Sequence, residues 1–246
     1  MVPKKINPER KTIMSRIYDA LEKRAGINEA EKMVHYMDEI LRMNEFINLT
    51  AVKDPEEFMV KHLLDSLSCI DSPEWKTAKK IADVGTGAGF PGVPLAIEAP
   101  TKEFSLIDSL QKRLRVIDDI TAEMNVLNVS TYHLRAEEAG KSKVHREKYD
   151  LCVSRAVASM NVLVEWCLPL VKVGGTFIAY KGEKAEQELE EAKNAIYLLG
   201  GKVDRVETID LLDESAENHV LVYIKKVKNT PAKFPRKSGM ARKEPL

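Results

Sequence analysis

The 246-residue chain balances 38 Lys and Arg against 38 Asp and Glu and is 44% hydrophobic, which fits one large globular domain or a domain with a small appendage. Its apolar runs fall far short of the roughly 20 residues of a membrane span, and the charged start MVPKKINPERKT has no apolar run behind it, which argues against a secretory signal. Three cysteines (Cys69, Cys152, Cys167) with no CxxC spacing argue against a disulfide framework or a zinc site and suit a reducing cytoplasm.

In chain order, Ile13, Ile17 and Leu21 recur every four residues and predict one apolar helix face over residues 9–25, which Gly26 ends. Met33, Met37, Ile40 and Leu41 repeat the pattern over 29–43. Asp54 caps a third helix, with Pro55 at its first position and Phe58, Leu63 and Leu67 on its apolar face. Residues 1–77 therefore read as a helical region packed on the remainder of the chain.

From residue 78 the pattern alternates. Strands are expected in KKIADVG, EFSLIDS, VSTYHLRAEE, YDLCVSRA and GGTFIAYKG, with helices in PGVPLAIEA, QKRLRVIDDITAEMN, NVLVEWCLPLV and KAEQELEEAKNAIYLLG. Two more strands, GKVDRVETIDL and ENHVLVYIKKV, are separated only by DESA-type turn residues, too few for a crossover helix, so they should pair antiparallel. The expected fold is a Rossmann-like α/β core over residues 78–228: a mostly parallel seven-stranded sheet with helices on both faces, a C-terminal antiparallel pair and an N-terminal helical cap. Residues 229–246 form a basic tail. From Lys225 to Leu246, eight basic residues stand against the single acid Glu244, so the neutral total hides a cationic end on an acidic body.

The run DVGTGAGFPG at the end of the first strand asks for a close backbone approach. Gly87, Gly89 and Gly92 match G-x-G-x-x-G, and Asp108 ends the next strand, as in a dinucleotide site. Pro91 and Pro94, however, remove amides that would point at a pyrophosphate, and the closing antiparallel pair is foreign to a plain dinucleotide fold. S-adenosylmethionine fits better, because it carries no phosphate. Gly85, Gly87 and Gly89 admit it, Asp108 is placed for its ribose diol, and Ala136 and Glu137 for its adenine edge. Asp83 either faces the cationic ligand or holds the turn through backbone N–H groups, and Asp108 has the alternative of capping the next helix.

The runs NEFINLTAV, KHLLDSL, ADVGTGAGFPGVPLAI, LIDSLQKRLRVI, RAEE, VSRAVASM, YKG and FPRKSGMARKEPL occur in an order that resembles the bacterial 16S rRNA guanine-N7 methyltransferase G family, also called glucose-inhibited division protein B. The resemblance runs from about residue 40 to the C-terminus. It implies a class I methyltransferase fold, S-adenosylmethionine as cofactor, and one guanine of 16S rRNA or the small ribosomal subunit as target, in a bacterial cytoplasm. It places cofactor contacts on Gly85, Phe90, Ala136, Glu137 and Arg155. With the residues read from the turn and strand ends, the expected cofactor set is Gly85, Thr86, Gly87, Gly89, Phe90, Asp108, Ser109, Ala136, Glu137 and Arg155. The chain is expected to act as a monomer without metal or membrane. Other readings are a class I methyltransferase on a different substrate, an NAD-dependent oxidoreductase, and an RNA-binding or assembly protein with no activity.

Guanine N7 is a lone pair with no proton to lose, so no catalytic acid or base is assigned, and catalysis should come from alignment and the local field. Arg155 is expected to contact the methionine carboxylate or guanine O6, with an ion pair to a nearby acid as its structural alternative. His62, Asp65 and Ser66 share one helix face and are read as structural or pocket-lining. Asn48 and Thr50 are read as fixing the loop before that helix. Lys181, Lys233, Arg236, Lys237, Arg242 and Lys243 are the expected RNA contacts, and deleting residues 229–246 is expected to cut RNA affinity while sparing cofactor binding.

Overall fold

The computed structural model describes residues 8–211 and 219–246, with side chains from Met14 onward. The side chain of Ile13 and the DESA turn lie outside the described residues. Helices α1 (Pro8–Ala25) and α2 (Ile27–Asn44) form where the four-residue spacing placed them. On α2, Met33, Tyr36, Met37 and Ile40 make one stripe, none more than 3% exposed. Each such side chain contributes about 1.5–3 kcal/mol by leaving water, which anchors the cap to the core.

The third helix departs from the expected form. It starts as α3 (Pro55–Phe58), where the Asp54 carboxylate accepts from the amides of Glu56 and Glu57, then widens into a π-helical turn over Met59–Leu64 and tightens at Leu67–Cys69. Such widened turns often accompany functional sites. A short α4 (Pro73–Thr77) leads into β1 (Lys80–Val84). The alternating core comes next: α5 (Gly92–Glu98), β2 (Glu103–Asp108), α6 (Gln111–Glu123), β3 (Val129–His133), α7 (Ala136–Ala139), β4 (Tyr149–Arg155), α8 (Met160–Cys167), β5 (Val171–Lys181), α9 (Ala185–Leu198), β6 (Gly201–Ile209) and β7 (His219–Lys226).

The seven strands lie in the order β3-β2-β1-β4-β5-β7-β6, parallel except for β7, which runs antiparallel to both β5 and β6. The expected antiparallel pair is present, with β7 inserted between β5 and β6. Successive residues alternate between the two faces. Ile81, Leu151, Ile178 and Tyr223 join the core under α1, α2, α5 and α6, while Ala82, Cys152, Phe177 and Val222 join the one under α8 and α9. Strand order reverses between β1 and β4, and open α/β sheets bind ligands at that point, beyond the strand C-termini.

The basic tail is packed against the domain and ends in a short α10 (Met240–Lys243). Phe234 and Ala241 are buried. Arg146 donates to the carbonyls of Gly140, Thr230, Pro231 and Phe234. The fully buried Lys226 donates to Leu168 O, Val171 O and Thr230 Oγ1, and burial pulls its ammonium down to about 8. Arg236 grips the carboxylate of Glu165, itself 0% exposed, through Nε, Nη2 and its backbone amide. Removing one partner of such a pair strands a buried charge. The Arg236→Ala substitution should therefore cost about 3 kcal/mol and lower the melting temperature by about 6–12 °C in calorimetry; an unchanged melting temperature would contradict the packing.

Candidate active site

A cleft of about 540 Å³ opens at the switch point between β1 and β4. Its floor is the bend after β1, where Gly85 (φ +73°) and Gly87 (φ +59°) hold conformations that side-chain-bearing residues rarely adopt. A Cβ on Gly85 would meet Val157 at 2.6 Å. Two carboxylates clamp the bend. Asp83, fully buried beneath it, accepts from Thr86 Oγ1 (2.7 Å) and Gly92 N (2.9 Å) through Oδ2. Asp108, at the end of β2, accepts from Gly87 N (3.0 Å) through Oδ2 and from Leu110 N (2.8 Å) through Oδ1. The cap adds a third hold, since Tyr36 Oη on α2 donates to Ala88 O at 2.9 Å.

Nine of the ten expected cofactor residues line this cleft; Gly89 does not. What approaches Gly89 is the cap, for a Cβ there would meet Tyr36 Oη at 2.3 Å and Val93 at 2.7 Å. Asp83 takes the turn-holding role rather than facing the cleft, and Asp108 faces it at 7% exposure. Each Asp108 oxygen has accepted one backbone N–H, which leaves a lone pair on each for an incoming hydroxyl. Glu137, 5% exposed, accepts from Gly239 N at 2.9 Å, so the tail closes the cleft wall. Arg242 caps the ring of Trp166 at 5.2 Å beside it. The expectation that the tail can be deleted without touching this pocket is thus corrected: Gly239 and Arg242 are part of its lining.

Arg155 realises its structural alternative. Nη1 pairs with Asp65 Oδ2 (2.7 Å) and donates to Lys61 O (2.9 Å), while Nη2 lies 3.1 Å from His62 Nδ1. An arginine can only donate, so Nδ1 is an acceptor and the His62 proton sits on Nε2, directed at Thr50 Oγ1 2.9 Å away. Burial first, then the Arg155 charge, push the His62 pKa down to about 3. The neutral ring stacks on Phe90, with centroids 4.9 Å apart and planes at 16°. Burial works against the Asp65 carboxylate, but the hydrogen bond from His219 Nδ1 (3.2 Å) and the Arg155 charge outweigh it and hold Asp65 below its ordinary range. The same hydrogen bond raises His219. Ser66 donates back to His62 O within the helix. The loop before this helix is fixed by Asn44, whose Oδ1 accepts from Leu49 N and Thr50 N; Asn48 is exposed.

A second cavity of about 520 Å³ adjoins the cleft, sharing His62, Arg155, Ala156 and Val157 with it. Ala156 holds φ +54°, a strained value for a non-glycine residue, on the common wall. Lys181 lies in the second cavity, bound to Ala158 O (2.7 Å) and Glu188 Oε2 (2.6 Å). Of the other expected RNA contacts, Lys233, Lys237, Arg242 and Lys243 are exposed, and Arg236 is committed to Glu165. No cluster of three or more metal-ligating side chains occurs among the described residues, and no described helix is long and apolar enough to cross a membrane.

Sequence reasoning missed Leu110, Trp166, Gly239 and His219. Leu110 comes just after Asp108 at the same strand end and could have been found from that rule. The others come together only through tertiary packing.

The sheet order, the antiparallel β7 and the glycine bend at the switch point define a class I methyltransferase fold. Solved structures with this fold include a candidate O-methyltransferase from Klebsiella pneumoniae (TM-score 0.54, 14% identity, 77% of this chain and 90% of that one). The cyclase SpnF also matches (TM-score 0.53, 14% identity, 67% and 80%), so the fold by itself does not select a reaction. The family model for rRNA small subunit methyltransferase G matches residues 29–217. Ribosomal RNA small subunit methyltransferase G of Alkaliphilus oremlandii is 50% identical over 89% of this chain and 91% of its own length. That of Clostridium perfringens is 42% identical over 95% and 98%. The chain belongs to the rRNA small subunit methyltransferase G family.

The clamp under the bend has a pH signature. Burial lifts the Asp83 carboxyl from 3.8 to about 6, against the hydrogen bonds from Thr86 and Gly92. The folded state therefore holds this proton more tightly than the unfolded chain, so the contribution of Asp83 is fully present below about pH 4 and fades as pH rises through about 6. Urea unfolding of the wild type and the Asp83→Asn variant should show the wild type losing ground to the variant between about pH 4 and 6. A pH-independent difference between the two would contradict the raised carboxyl.

Proposed function

We propose that the chain transfers a methyl group from S-adenosylmethionine to N7 of a guanine in 16S rRNA, acting as a monomer in the bacterial cytoplasm. The observation that carries this reading is the cleft at the switch point, floored by the glycine bend and flanked by Asp108, in a member of this family. The fit to the cofactor rests on three features. Val157 leaves no room for a side chain at Gly85, so bare backbone faces the ligand. The Asp108 lone pairs suit the two hydroxyls of a ribose. Leu110 and Leu134 offer apolar surface for a purine near Glu137. When bound, S-adenosylmethionine supplies a methyl group on a cationic sulfur that leaves as a neutral thioether.

The remaining chemistry falls to this chain's residues. Guanine N7 has a free lone pair and gives up no proton, so the site needs no base. His62 fits that requirement, because its acceptor nitrogen is occupied by Arg155 and its pKa lies near 3. Its ring serves as a wall, fixed by Phe90 and Thr50. A free arginine beside a base that becomes cationic is unfavourable. Arg155 avoids this because the buried Asp65 balances its charge, leaving the local field near neutral. The exposed Lys233, Lys237 and Lys243 then supply cations for the rRNA backbone beside the cleft.

The direct test maps 7-methylguanosine in 16S rRNA from a strain lacking the gene. One N7 methyl group should disappear and return with a wild-type copy. Retention of every N7 methyl group would contradict the assignment.

A further inference from the structure

The second cavity, at the C-terminal ends of β4 and β5 and the start of β7, holds polar groups that methyl transfer itself does not use. Its far wall carries Lys181, from the end of β5, and Glu188, from α9. Lys181 is only 9% exposed and Glu188 23%, and their charged atoms stand 2.6 Å apart. Two of the three Lys181 protons are spent on Ala158 O and Glu188 Oε2, so one donor remains. Glu188 Oε2 also accepts from Met160 N at 2.8 Å. Its Oε1 accepts no hydrogen bond from the described residues. The wall therefore presents one unused donor beside one unused acceptor.

We propose that Glu188, paired with Lys181, reads the Watson–Crick edge of the acceptor base and makes the site specific for guanine. The inference rests on reading the site as a guanine-N7 methyltransferase. If N7 points through the shared wall toward the cleft, O6 and then N1–H and the 2-amino group turn toward the opposite side of the cavity. Guanine shows an acceptor at O6 next to a donor at N1, the complement of Lys181 beside Glu188. Adenine shows the reverse, a donor at N6 next to an acceptor at N1, and so sets like against like at both positions. In a partly buried site an unmatched polar group is costly, so sites built to hydrogen-bond one pattern reject its reverse strongly. Glu188 is a specificity-determining residue here, and Lys181 is held in place by it.

The test titrates guanosine, inosine and adenosine monophosphates into the full-length protein saturated with S-adenosylhomocysteine. It compares the wild type with Glu188→Gln, and measures kcat/KM on small subunits from a strain lacking the gene. The wild type should prefer the guanosine nucleotide to the adenosine one by about 10- to 100-fold, and the inosine one, which keeps both O6 and N1–H, should bind close to the guanosine one. Glu188→Gln should erase that preference and lower kcat/KM by a similar factor, while S-adenosylhomocysteine affinity stays at the wild-type level. A variant that keeps the wild-type preference overturns the proposal. Because Glu188 also holds the first amide of α8, a second probe leaves the protein unmutated: 1-methylguanosine monophosphate, which lacks the N1 proton, should be rejected by the wild type as strongly as the adenosine nucleotide. Binding of it on a par with the guanosine nucleotide overturns the proposal whatever the variant does. Absence of N7 methylation by the wild type refutes the broader reading. Intact N7 methylation with an unchanged purine preference refutes only the role of Glu188.

Discussion

The peptide bend between β1 and α5 is the constraint on which the rest of the molecule turns. Backbone at Gly85 with φ +73° packs so closely on Val157 that no side chain fits between them. Glycine reaches these angles without steric cost but loses more conformational entropy than other residues when fixed there, and side chains around the bend hold it in place. Asp83 holds it from below, Asp108 from the neighbouring strand, and Tyr36 from the helical cap. Two of the holds come from adjacent strands of the sheet and the third from the cap, so the bend ties cap to sheet.

The second organising element is the buried group around Arg155. Its guanidinium ties the end of β4 to the widened helix through Asp65, His62 and Lys61 O, and it lies 5.6 Å from the Phe90 ring. Through His219, Asp65 extends the group to β7. One cation thus orders the common wall of the two cavities, and its charge is matched within the wall. The tail completes the other side, with Gly239 on Glu137 and Arg242 over Trp166. The cationic segment is therefore a structural part of the pocket whose outermost lysines face solvent.

Much of this was legible in the sequence because the signals are local. The strand-turn-helix around Gly85, the acid ending the next strand and the missing crossover before β7 are all set by neighbours within a few residues. The stripe on α2 is equally local. Reading the glycine turn and strand ends, with five positions added or supported by the family resemblance, placed nine of the ten expected cofactor residues on one cleft. What escaped depends on partners far apart along the chain. Arg155 meets Asp65 across 90 residues and Arg236 meets Glu165 across 71. A run of lysines and arginines reads as solvated until its buried acids are known, so the pairing of Arg236 with Glu165 left no trace in the sequence. Gly89 carried the right residue for a ligand but serves the approach of Tyr36. The widened turn at Met59–Leu64 left no mark on the apolar spacing that predicted the helix.

The account stands or falls on what the bend admits, and the most direct measurement is a crystal structure of the chain soaked with S-adenosylmethionine. The account predicts the ligand in the cleft, its ribose hydroxyls within hydrogen-bond distance of the Asp108 carboxylate and its backbone-facing side against Gly85. Density for the ligand elsewhere, or an empty bend at saturating concentration, would contradict it.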